Sequence, residues 1–136
     1  MNSKNRENKF LIQVVFFIAI VTIASGLSQL IMPEMVLTII GGEVTPGGAH
    51  SFAIIGMFMV FFGLLAIHAL STETQEPVAI FWCAIQKLGA TIAVAMGVSK
   101  GLFSALALVV AAFDLFSFVV MMVFWVSIRK NEALAY

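Results

Sequence analysis

Two charged residues set in apolar sequence are the part of this chain best placed to do chemistry. Lys87 and Asp114 each stand near the middle of a long hydrophobic run, and the two runs are joined by a short turn at Ser99 and Lys100. If the runs form an antiparallel helical hairpin, residues equidistant from the turn lie at equal depth, and these two nearly are. A single charge near a bilayer centre costs about 3 kcal/mol on insertion scales, so two at one depth are expected to pair and to face the bundle interior. Such a pair has two uses. It can lock the hairpin by mutual neutralisation, or it can serve as a proton or ion relay or draw an anionic ligand to Lys87.

The residues beside the pair suit a close seam. Cys83, Ala90, Thr91 and Gly97 share a side with Lys87, and Ser104, Ala107, Ala111 and Ser117 share one with Asp114 at three- and four-residue steps. Small residues let two helices approach within a bilayer, where van der Waals packing drives association. Gln86 adjoins Lys87 but points about 100° away around the helix, toward a different neighbour. In the first apolar run Thr22, Ser25 and Gln29 form a polar stripe with Gly26 and Ser28 nearby, and His50 stands across from them. Together with Glu34 and Glu43 these could line an outer polar pocket. Interhelical hydrogen bonding and a solvated loop account for the same residues without a ligand.

These residues must be carried by membrane-spanning helices. Hydrophobic residues are 62% of the 136 and charged residues 10%, against roughly 45–50% and 25% in a soluble domain. Residues 10–32 contain no charge and, as a helix, would measure about 34 Å, enough for a hydrocarbon layer of about 30 Å. This run is longer than the apolar part of a secretory signal, so it is expected to stay as a span. Further spans are expected at 49–70, 78–98 and 102–128. Gly56 and Gly63 lie two turns apart on the second, marking a helix-packing face like that of Ala107 and Ala111 on the fourth. Between the first two spans, Pro33 and the glycine pairs around Thr45-Pro46 bound a short amphipathic helix, with Met35, Val36, Ile39 and Ile40 on one side.

The fold class is therefore all-α: a four-helix integral membrane bundle over residues 10–128 with a short helix in its first outer loop and polar tails at 1–9 and 129–136. Lys4, Arg6, Lys9, Arg129 and Lys130 flank one side and only Lys100 the other, so the positive-inside rule puts both termini in the cytoplasm. Trp82 and Trp125 then sit at the cytoplasmic interface. His68 is expected beside them, capping its helix with Ser71 and Thr72.

Seven basic and seven acidic residues give no net charge, so nothing suggests a nucleic-acid partner, which would need a basic face. The lone Cys83 excludes an intrachain disulfide. One histidine and two loosely spaced carboxylates match no metal-ligand spacing, and no nucleophile motif or phosphate loop is present, so no metal, cofactor or catalytic residue is expected.

The pattern Leu30-Ile31-Met32-Pro33-Glu34 closing the first helix, Gly56 and Gly63 in the second, Gln86-Lys87-Leu88-Gly89 in the third and Phe113-Asp114-Leu115 in the fourth resembles the small bacterial membrane proteins called DoxX-like. The resemblance covers residues 26–125. It implies a four-helix fold in the bacterial inner membrane and a link to respiratory or redox assemblies. The family's basic residue near the start of the second helix is absent, its place held by Ala53, so no ligand contact is carried over there. The reading that follows is a non-enzymatic protein partnered by the lipid bilayer and by other membrane subunits or itself. The alternative is a small proton- or ion-coupled transporter using Asp114 and Lys87.

Overall fold

The computed structural model describes residues 3–73 and 75–133, with the side chains of 3–7 and 131–133 left aside. Its elements are α1 (Ser3–Ile31), α2 (Pro33–Ile39), α3 (Pro46–Ser71), α4 (Pro77–Ser99) and α5 (Ala107–Ala133). Four of these are long and apolar enough to cross a membrane. Three helices begin on proline at their first position, Pro33, Pro46 and Pro77, where the missing N–H is not needed and φ is already helical. Thr45 caps α3 by accepting from the Gly48 N–H at 3.1 Å. Gly41, at φ +73°, ends α2 in the left-handed region, and the Gly42 N–H returns to the Leu37 carbonyl at 2.8 Å.

The four long helices form a ring in which α1 packs along α3, α3 meets α4, α4 packs along α5, and α5 returns to α1. Each neighbour runs antiparallel to the last. Most outward positions are large and apolar, among them Phe17, Phe58, Phe61, Val109 and Phe116. Their exposure is what a hydrocarbon solvent requires, since the helices already satisfy their own backbone groups.

The closest seam is α1 against α3. A Cβ built on Gly56 would stand 2.6 Å from the Gly26 carbonyl oxygen, and one on Gly26 would stand 2.6 Å from that of Gly56. Gly63 is similarly filled by Ile23 and Ala19. On α5, Ala107, Ala111, Asp114, Ser117, Met121, Phe124 and Ile128 are all buried, an unbroken stripe at three- and four-residue steps.

Burial is uneven along the bundle axis. The core cluster of Val15, Ile18, Ala19, Ala66, Ala69, Ile80, Cys83, Ala84, Met121, Phe124 and Ile128 lies entirely in the half that holds the chain termini. There Ser127 also donates to Asn8 at 2.8 Å, tying α5 to α1. The half that carries α2 is held differently.

In the α2 half the structure departs from expectation in two places. The fourth span begins at Ala107 and not at Leu102, because Gly101 turns at φ +69° and sends the Phe103 ring back against Gly97 and Gly42. The Ser104 N–H is then used on the Ile40 carbonyl at 2.8 Å, so these residues cannot continue a helix. For the same reason α2 buries Leu37, flanked by half-buried Val36 and Ile40, and leaves Met35 and Ile39 exposed. Leu37 is the residue that reaches Gly42 and the Phe103 side of the loop. At the opposite end Ser71 and Thr72 bond the carbonyls of Ile67 and Ala69, while His68 is exposed.

Gly56→Ala is expected to destabilise the bundle by about 1–3 kcal/mol, since the added methyl meets opposing backbone that cannot yield. Gly89→Ala, where nothing lies within 4 Å, should be neutral or stabilising by up to about 1 kcal/mol. Unfolding of both variants in mixed micelles measures the contrast.

Candidate functional site: a polar cleft ending on a buried ion pair

Lys87 Nζ donates to Asp114 Oδ1 at 2.7 Å, with the two residues 2% and 4% exposed. The ammonium also stands 5.5 Å from the centroid of the Phe113 ring, within reach of its negative face. Thr91, one turn beyond Lys87, donates to the Lys87 carbonyl at 2.9 Å and reaches the Ala111 carbonyl at 3.3 Å. Ala111 permits that contact because it has no bulk to hold the α5 backbone away. The α4–α5 hairpin is thus joined twice at one level, by charge and by a hydroxyl.

The pair is not sealed in the core. It forms the end of a cleft of about 210 Å³ lined by Thr22, Ser25, Ser28 and Gln29 of α1, Val36 of α2, Met59 of α3, Lys87 of α4, and Val110, Phe113 and Asp114 of α5. The polar stripe of the first helix and the ion pair therefore belong to one site. Their common depth follows from the antiparallel ring: Thr22 on α1 faces the same layer as Lys87 on α4. Ser25 and Val110 are exposed at the edge of the cleft, so it opens between α1 and α5.

His50 does not join this site. It is exposed in the first turn of α3, and Met59, further along that helix, is the α3 residue that lines the cleft. Glu34 and Glu43 are exposed as well. Among the described residues no group of three or more His, Cys, Asp or Glu side chains is placed to hold a metal.

Behind the pair is a second, far smaller space of about 10 Å³, bordered by Thr22, Phe62, Gly63, Cys83, Gln86, Lys87 and Met121. Gln86 does turn to a different neighbour from Lys87, bordering this space with residues of α1 and α3. Its Oε1 is buried without a hydrogen-bond partner. The space is about the size of one water and borders that orphan acceptor. Cys83 is 2% exposed and donates weakly to the Phe62 carbonyl at 3.6 Å, the behaviour of a packing thiol.

Compared with protein-family models, with curated proteins and with solved structures, the chain matches none. What the site does is therefore argued from its own atoms. Sequence reasoning placed the polar stripe and the charges separately. It missed Met59 and Val110 as walls, since an apolar residue in an apolar helix carries no mark. The shared depth of Thr22 and Lys87 was the available signal.

Lys87→Met alone and Asp114→Leu alone are each expected to destabilise the fold by about 3–5 kcal/mol, because each leaves one buried charge without its partner. The double variant should recover to within about 1 kcal/mol of the native chain, since apolar replacement of a buried pair is close to neutral. Steric-trap unfolding in bicelles reads all three values.

Proposed function

We propose that this protein is a non-enzymatic membrane protein that binds a small amphipathic molecule in the cleft, with the Lys87–Asp114 pair as the polar end of the site. The observation that carries this reading is that the pair forms a wall of a 210 Å³ cleft that also gathers Thr22, Ser25, Ser28 and Gln29. A pair that served only to lock the hairpin would be as well placed under apolar side chains. A mostly apolar cleft with a few convergent polar groups is the usual make-up of a small-molecule site. With both termini cytoplasmic, as the basic flanks suggest, in the bacterial inner membrane that the DoxX-like resemblance implies, the cleft belongs to the outer half of the bilayer.

The geometry favours one-sided binding over transport through the bundle. Beyond the pair, Val15, Ile18, Met121, Phe124 and Ile128 fill the interior, so an ion crossing the membrane meets an apolar plug about half the bilayer thick. A proton- or ion-coupled carrier would have to rearrange that half entirely.

A second reading, an accessory subunit or homo-oligomer, draws support from α4 alone. The small faces at Gly26, Gly56 and Gly63 are used inside the bundle, but Gly89 is exposed with open space around it and Ala93 lies exposed one turn on. That Gly-xxx-Ala spacing suits a neighbouring helix. The resemblance to DoxX-like proteins and their respiratory or redox assemblies fits either reading.

Native mass spectrometry from lipid nanodiscs tests the proposal. A small-molecule adduct of about one per chain is expected on the native protein and should vanish when the cleft is filled by Ser25→Phe. An adduct unchanged in Ser25→Phe would sink the binding reading. A multi-chain particle that dissociates in Gly89→Leu would establish the α4 face as the working surface instead.

A further inference from the structure

We infer that the cleft selects an uncharged amphiphile with a hydroxyl head, drawn from the lipid phase; this deepens the binding reading and rests on it. The argument is an inventory of protons. Thr22 Oγ1 donates its hydrogen to the Ile18 carbonyl at 2.8 Å, and Ser28 Oγ donates to the Ala24 carbonyl at 3.0 Å. Both hydroxyls therefore line the cleft with their hydrogens already used, and the donors on its walls are the Lys87 ammonium, the Ser25 hydroxyl and the Gln29 amide nitrogen. Gln29 Oε1 is buried with no donor at all. Asp114 receives Lys87 on Oδ1, and its other oxygen takes part in no hydrogen bond among the described residues. Among the described atoms that line the cleft, Gln29 Oε1 is therefore the buried acceptor left unfilled, and it costs free energy until a donor arrives.

Charge narrows the choice. Lys87 and Asp114 neutralise one another at 2.7 Å, and no other charged side chain lines the cleft. A carboxylate or phosphate head would meet Asp114 as readily as Lys87, and an ammonium head would meet Lys87. Either would surrender its hydration without a net counter-charge. An ether is neutral but brings no hydrogen for Gln29. A hydroxyl brings one, and its oxygen can take one of the ammonium hydrogens that Asp114 leaves free.

The remaining walls describe the rest of the ligand. Val36, Met59, Val110 and Phe113 are apolar, and the cleft is too small for more than a head and the first few carbons. With Ser25 and Val110 exposed at its edge, an alkyl tail leaves between α1 and α5 along apolar helix surface. The occupant is thus a long-chain or isoprenoid alcohol in kind.

The test uses the full chain in phosphatidylcholine nanodiscs and a hexadecanol probe carrying a photoreactive diazirine close to the hydroxyl. Crosslinks should concentrate on residues 22–29 and 110–114. Unlabelled hexadecanol should displace them about tenfold more effectively than hexadecyl methyl ether, hexadecanoate or hexadecyltrimethylammonium. Gln29→Leu should cut cleft labelling by about the same factor while labelling of the outward Phe58 and Phe61 stays constant as an internal reference. If hexadecanoate competes best, the hydroxyl assignment falls and the cleft stands as an anion site. Labelling spread evenly over the lipid-facing residues, indifferent to every competitor, overturns both the ligand class and the binding site.

Discussion

Everything in the α2 half of this molecule depends on holding two buried opposite charges together. Lys87 and Asp114 meet at 2.7 Å, and the cost of separating them exceeds that of losing a few interhelical hydrogen bonds, which average about 0.6 kcal/mol each in membranes. The pair consequently fixes the rotation and the depth of α4 against α5. Thr91 and Ala111 follow from that registration, since a hydroxyl can bridge two backbones only when the helices are held this close.

The bundle is built in two unlike halves. Toward the termini it resembles the interior of any close-packed protein, with Phe124, Ile18, Ile80, Met121 and Val15 fully buried. Toward α2 the helices are stitched by glycine contacts, one ion pair and a loop, and the space between them stays partly polar. The division falls at the layer of Thr22 and Lys87, which border both the cleft and the small space behind it. One lysine therefore stands between the cleft and a space about the size of a single water.

Much of this was legible from residue order. Distance along the chain from Ser99 and Lys100 was enough to predict that Lys87 and Asp114 would meet, because an antiparallel hairpin maps sequence separation onto depth. Four spans followed from four uncharged or nearly uncharged runs. The glycine pair Gly56 and Gly63 announced a close helix neighbour, which is α1. What escaped was everything set by contacts between distant segments. Phe103 reads as the start of a span until Gly97 and Gly42 supply a place for its ring, and Leu37 anchors α2 against Gly42, which that ring also meets. His50 looked opposite the polar stripe by depth, but depth does not give rotation, and the helix presents Met59 to the cleft instead. That the stripe and the ion pair form one site required knowing the order of helices around the ring.

The link between Ser104 and Ile40 gives the molecule a mechanical character. The two helix pairs are joined firmly at the terminal end by packed side chains, and at the other end by one backbone hydrogen bond of 2.8 Å and the Phe103 ring set against Gly42. Such a body behaves like a clothes-peg. Its pivot is the packed end, its jaws are the α2 end, and the catch between them is a few atoms that can release without unfolding any helix. Widening of the jaws would begin at that catch, and its travel would be greatest there, at the tip farthest from the packed end.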